Sequence, residues 1–385
     1  MFFFDRAFRA FFIGGSLFAT ISMFVWWLNY PQSSLSFSGV LPMYWHGHEM
    51  VFGYALATVS GFLLTAVMNW TGLNSASGKS LAVLFLLWVA ARLGYLINLP
   101  IEWIAVVDIG FTIGLFLHFS LPVFKTKQWK QGGLAVKFLL LIFANVLYYL
   151  GALNILSEGL YWGMVAGLFL VLAINLTMMR RLIPFFTEKA LGLPERRNDK
   201  WVDGLAIAGF FGLMLAVLIT PNHWIISLIA FPLAMIHAFR WKNWYHIKVW
   251  KITLLWPLYI SYGFMILGIF LYGFVGLKIL NESLAIHALA AGGIGLLCSS
   301  IMARISLGHT NRNVFQAPKM VIAVFVLLTV TAIFRVIMPI LDPTHYILWM
   351  QLSQWGWVIS FMMLSIVYWP ILTKPSPAKD SGILL

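Results

Sequence analysis

A chain of 385 residues with a single cysteine, Cys298, has no internal disulfide and no CxxC redox or zinc site. Charge is nearly as scarce. Asp, Glu, Lys and Arg make up 10% of the residues, against roughly a quarter in a soluble domain. There is no low-complexity segment and no hydrophilic stretch of domain size, the largest interruption being residues 188–203. The first apolar run lacks a small-residue cleavage site and is expected to be a membrane span, not a cleaved signal. Apolar residues fill the rest, at 61%. That composition implies an all-α, multi-pass membrane protein with the lipid bilayer as its main partner.

Apolar runs of about 20 residues, the length that crosses the hydrocarbon layer, fall near 10–28, 48–68, 80–98, 101–123, 134–154, 158–179, 202–220, 223–239, 250–276, 283–303, 319–338 and 346–371. Twelve helices in one membrane domain over 1–385 are therefore expected. Pro232 shortens the eighth, and Pro184 is expected to end the sixth.

Basic residues outnumber acidic ones, 25 to 12, an excess that could suggest nucleic acid. Their placement argues for membrane topology instead. With the N-terminus cytoplasmic, 22 of the 25 fall at cytoplasmic helix ends, and only Lys278 falls at an outer end. This is the positive-inside pattern, and it puts both termini in the cytoplasm. Trp26, Trp27, Tyr30, Trp241, Trp244 and Tyr245 mark the aromatic belts. In this scheme Arg180, Arg181 and Arg240 are cytoplasmic-edge anchors. Gly308 is a helix C′ residue, with Arg304 and Arg312 at the helix's negative end. No two-half repeat is visible.

Arg92 and Arg335 are the exceptions, lying inside spans one to two turns below the outer surface. His46, His48, His223, His287 and His345 collect at the same outer ends, with Glu49, Glu102, Asp108, Glu282 and Asp342. Ionisable groups at that depth are costly unless they bind or pair, so they mark a functional site. Imidazole is the commonest metal ligand, and a haem between helices needs axial histidines and cations for its propionates. His48 and His287 are the expected axial ligands, with Arg92 and Arg335 as propionate partners. A salt bridge of Arg92 with Asp108 is the alternative, compatible with that role. His46, His345 and, on the cytoplasmic side, His309 are further candidate metal ligands, the last with His237 or His246. Copper is the second candidate metal.

Three motifs together resemble the NnrS family of membrane proteins associated with the bacterial nitric oxide response. The first is His46-Gly47-His48-Glu49-Met50-Val51-Phe52-Gly53, continuing through Gly61-Phe62-Leu63-Leu64-Thr65-Ala66 to Asn69-Trp70-Thr71-Gly72. The second is Arg180-Arg181-Leu182-Ile183-Pro184-Phe185-Phe186-Thr187. The third opens at His287-Ala288-Leu289 and closes at Arg304-Ile305-Ser306-Leu307-Gly308-His309-Thr310-Asn311-Arg312. The resemblance implies a twelve-helix protein of the bacterial inner (cytoplasmic) membrane that contains haem and copper. It would act on nitric oxide or metal nitrosyl species and protect against nitrosative stress. His46, His48 and Glu49 carry over with the first motif, and His287 and His309 with the third. The span count and outer histidines are also similar to the catalytic subunit of haem-copper oxidases and nitric oxide reductases. Those proteins take ligands from helices six and seven, and residues 158–179 and 202–220 contain no histidine. Two other classes stay open: a secondary transporter of a small anion or metal complex, and a haem or copper assembly factor. None of these readings assigns a reaction or a nucleic-acid partner.

Overall fold

The computed structural model describes residues 2–32, 35–195, 199–219 and 223–377. The expected basic residues Arg196, Arg197 and Lys379, and the Thr220-Pro221-Asn222 turn before His223, lie outside the described residues. Among the described residues there is no strand. Twelve helices are long and apolar enough to cross a membrane: α1 Ala7–Asn29, α2 Pro42–Thr71, α3 Gly78–Leu96, α4 Ile101–Lys125, α5 Trp129–Ala152, α6 Gly159–Leu191, α7 Lys200–Ile219, α8 His223–Trp244, α9 Trp256–Gly276, α10 Glu282–Gly308, α11 Lys319–Leu341 and α12 Pro343–Thr373.

The helix count agrees with the hydropathy pattern, and the boundaries move where side chains override it. α2 starts at Pro42, so His46, His48 and Glu49 lie inside a helix and not at its mouth. Pro184 does not end α6, which continues to Leu191 and stops at Gly192, with φ +63°. Pro232 is likewise accommodated, and α8 runs to Trp244. α9 begins only at Trp256, because a short 3₁₀ helix, Ile247–Lys251, precedes it. The left-handed residue after α10 is Asn311, at φ +54°, instead of Gly308. A proline inside a helix forfeits one hydrogen bond, which packing along so long an apolar helix offsets.

Local chemistry sets the ends that matter for the site. Thr71 closes α2 by donating its hydroxyl to the Val67 carbonyl at 2.7 Å. Gly72, at φ +69°, then turns the chain out of the helix. Ser77 and Ser80 form a reciprocal capping box at the start of α3. Glycines bring α5 and α6 together. A Cβ on Gly151 would lie 2.2 Å from the Leu160 nitrogen, and one on Gly163 would lie 2.4 Å from the Tyr148 nitrogen. Only hydrogen at these positions permits such backbone approach.

The chain divides into two compact units. The first comprises Met1–Val171, Ile305–Arg312 and Leu364–Leu385, and the second Leu172–Arg304 and Asn313–Met363. Arg92 lies in the first unit and Arg335 in the second.

The charge split makes a topology test simple. Reporter fusions after Lys127 and Gln316 are expected to read as cytoplasmic, and fusions after Pro31 and Ile279 as the opposite side. One inverted result among the four would contradict the split of basic residues.

Candidate functional site

In the first unit the outer-half residues converge on one buried network. His48, Glu49, Arg92 and Asp108 are each 3% exposed or less. Arg92 of α3 bridges two carboxylates: its Nη1 lies 3.2 Å from Glu49 Oε1, and its Nη2 donates to Asp108 Oδ1 of α4. Asp108 Oδ2 also accepts from Tyr149 Oη at 3.1 Å and Asn145 Nδ2 at 3.2 Å, both on α5. The expected Arg92–Asp108 salt bridge is present, and Glu49 completes it.

The hydrogen-bond pattern assigns the protons. Asn145 spends its Nδ2 on Asp108, so its Oδ1 faces His48 Nε2 at 3.0 Å and requires a proton on that nitrogen. His48 Nδ1 lies 3.0 Å from Glu49 Oε1. Between them one proton makes either an imidazolium–carboxylate pair or a neutral imidazole beside a carboxylic acid. Either way, with Arg92 and Asp108, the group is electrically neutral, as burial demands. The imidazole is also stacked between Tyr148, at 4.1 Å, and Phe52, at 4.8 Å.

A backbone irregularity shapes this site. Directly after His48, residues Glu49–Ala55 form a π-helix. A π turn carries an extra residue, leaves a carbonyl short of its usual partner and occurs mostly at functional sites. Trp88 Nε1 satisfies Gly53 O at 2.9 Å. A Cβ on Gly53 would lie 2.4 Å from the Phe18 ring and 3.0 Å from Arg92 Nη1, so this glycine is what lets the guanidinium pass.

The second unit holds His287 and Arg335. Arg335 Nη2 donates to Ser283 Oγ at 3.0 Å and to His287 Nε2 at 3.1 Å. Guanidinium has no acceptor, so Nε2 offers its lone pair and His287 is the neutral Nδ1–H tautomer. That N–H donates to the Ser283 carbonyl at 2.7 Å. His287, too, is followed at once by a π-helix, Ala288–Ile294.

These two geometries differ in fitness for a haem. An axial ligand must present a nitrogen lone pair. Both nitrogens of His48 face oxygen atoms, so ligation there requires one of them to be released. His287 Nε2 has the needed lone pair but lends it to Arg335, so ligation there requires the guanidinium to move off it. The other expected ligands are dispersed. His46 stacks on Trp26 at 4.5 Å. His345 lies at an exposed end, 2.8 Å from Asp342, where the Thr344 hydroxyl and then the imidazole hold the Asp342 carboxyl below the ordinary range. His309 packs against Phe8, its ring pushed down to about 4 by burial and then by Arg6. His237 pairs with Tyr262, at 2.7 Å, and His246 caps the Ile247–Lys251 helix. Among the described residues no three His, Cys, Asp or Glu are grouped so as to hold a metal ion.

The profile of a protein family described as NnrS protein matches residues 2–376. The chain belongs to the NnrS family. The match takes in both histidine–arginine sites and all twelve helices of this family member. No curated protein matches it.

Sequence reasoning missed Asn145, Tyr148 and Tyr149, although a lone asparagine within the apolar run of α5 is a signal of its own. It also misread one arginine. Arg240, taken for an edge anchor, is 2% exposed, and Arg304 near the end of α10 is 3% exposed. Arg240 Nη2 pairs with Asp203 Oδ1 at 3.1 Å, while Arg180 Nε takes Asp203 Oδ2 at 2.7 Å. The Arg304 guanidinium stacks on Phe186 at 3.8 Å.

Proposed function

We propose that the protein is a haem-binding membrane protein of the nitric oxide response, with His287 and Arg335 as its haem-holding residues. The observation that supports this is the neutral His287 tautomer, its Nε2 lone pair turned to a cation on the neighbouring helix. His287 would hold the iron, and Arg335 would pair with a propionate. The haem would supply a binding position for nitric oxide, an apolar gas that partitions into lipid. The His48 network, neutral as a group, serves to fix α2, α3, α4 and α5 against one another. Family membership supports the nitric oxide setting.

Protein purified from haem-replete cells is expected to show a Soret band that His287→Ala abolishes, because no neighbouring apolar side chain replaces the lost bond. A wild-type protein without a Soret band would overturn the proposal. The second reading is a secondary transporter of a small anion or metal complex. It is favoured by ionisable groups held inside the spans, which mark substrate and ion pathways in membrane proteins. No Soret band, together with anion-dependent thermal stabilisation, would select it.

A further inference from the structure

Arg304 lies one turn before the end of α10 and is 3% exposed. Arginine keeps its charge in any protein environment and carries five N–H donors in one plane. Among the described residues none of the five finds an acceptor, and no carboxylate pairs with the charge. What Arg304 does touch is Phe186 of α6, over whose ring the guanidinium carbon stands at 3.8 Å. An aromatic ring covers a face of the guanidinium and leaves its edge, where the N–H bonds point. The contrast with similarly buried arginines is plain. Arg240 has Asp203 beside it at 3.1 Å, and Arg92 lies between Glu49 and Asp108. A buried cation without an anion is costly.

A second unanswered group stands on the same face of α10. Ser300 is 1% exposed and precedes Arg304 by four residues, one helical turn. Its Oγ has no hydrogen-bond partner among the described residues. Buried hydroxyls on these helices commonly donate back to their own backbone, as Ser299 does to the Leu296 carbonyl at 3.1 Å and Ser360 to that of Gly356 at 2.7 Å. Side chains on a helix lean toward its N-terminus, so Arg304 reaches back over the turn that carries Ser300. We infer that Arg304 and Ser300 form a binding site for a small, planar, singly charged oxyanion. The charge follows from neutrality, since one buried cation takes one negative charge. The shape follows from the stack. With Phe186 on a face, the ligand meets the edge, where a planar oxyanion accepts two parallel N–H bonds. The Ser300 hydroxyl then donates to a further oxygen. Nitrate, nitrite and formate have this form. The site shares no residue with the His287–Arg335 pair, and it stands whether or not that pair holds a haem.

The test removes the charge without leaving a hole for it. Full-length protein in detergent is melted across a nitrate titration, with chloride and sulfate as comparison salts at equal ionic strength. Wild type is expected to gain roughly 2–4 °C in nitrate, and the gain should saturate. Arg304→Leu has no orphaned ion, so it is expected to melt no lower than wild type in chloride and to lose the saturable gain. Whatever each salt does to the protein at large persists in this variant and is subtracted. Arg304→Lys keeps a charge without the two-donor edge and is expected to raise the nitrate midpoint about tenfold. Ser300→Ala is expected to raise it several-fold while melting with wild type in chloride. A missing Soret band in the same samples would sink the haem reading and leave these comparisons intact. If nitrate moves wild type and Arg304→Leu alike, or Arg304→Leu melts well below wild type in chloride, a group of this chain already answers the guanidinium and the inference is overturned. A gain that sulfate gives and nitrate does not, lost in Arg304→Leu, overturns the planar, singly charged ligand.

Discussion

Arg92→Ala is expected to lose most of the folded protein from the membrane. Arg92 is 3% exposed and lies between Glu49 and Asp108. Removing it leaves the buried network one positive charge short, and breaking a buried pair in this way costs about 3–5 kcal/mol. That is a large part of a typical total stability of roughly 5–15 kcal/mol. Membrane yield and the melting temperature of the detergent-solubilised protein measure the effect. The triple variant Arg92→Leu, Glu49→Gln, Asp108→Asn is expected to regain much of the loss, because a charge-free core has no orphaned ion. Lys125→Ala, at an exposed position, is the control and should stay within about 0.5 kcal/mol of wild type. An Arg92→Ala protein that melts with wild type would remove the argument that this network holds the four helices together.

Asp203→Ala should be nearly as damaging in the second unit. The Asp203 carboxylate is shared by Arg240, which is buried, and Arg180, which is 43% exposed. Arg180 can turn to solvent, whereas Arg240 cannot, so a cost of about 3–5 kcal/mol is again expected. Arg240→Leu with Asp203→Asn should recover most of it, leaving Arg180 hydrated. The loss should persist at high salt, since buried pairs are screened far less than exposed ones. A melting temperature for Asp203→Ala that matches wild type, or a defect erased by salt, would contradict the buried pairing.

Hydropathy carried the fold well because a span is set by composition and length, and twelve apolar runs give twelve helices. Prolines misled at α6 and α8 because a local donor loss was weighed without the packing along the rest of the helix. Depth identified Arg92 and Arg335, and the Arg92–Asp108 pair followed from two opposite charges on adjacent spans. Three things lay beyond that reasoning. Counting Lys and Arg by side cannot tell a lipid-edge arginine from one turned inward, which is why Arg240 was taken for an anchor. Asn145 and Tyr149 lie far in sequence from Asp108 and meet it only where α5 packs on α4. The π-helices leave no mark on composition and show only in the backbone.

The neutrality of the His48 network also bears on how the chain enters the bilayer. Glu49, Arg92 and Asp108 belong to three successive spans, α2, α3 and α4, so each span emerges from the ribosome carrying an uncompensated ion. For a charge at the centre of a lone helix the insertion machinery imposes a penalty of about 2.5–3.5 kcal/mol, and a smaller one toward the ends, where these three groups stand. Released one at a time, these spans would each meet such a barrier, whereas released as a group they deliver their ions already matched. Nascent α2 is therefore expected to wait at the translocon's lateral gate until α4 is synthesised, which makes the length of chain between Glu49 and Asp108 a timing element in biogenesis as well as a stretch of structure.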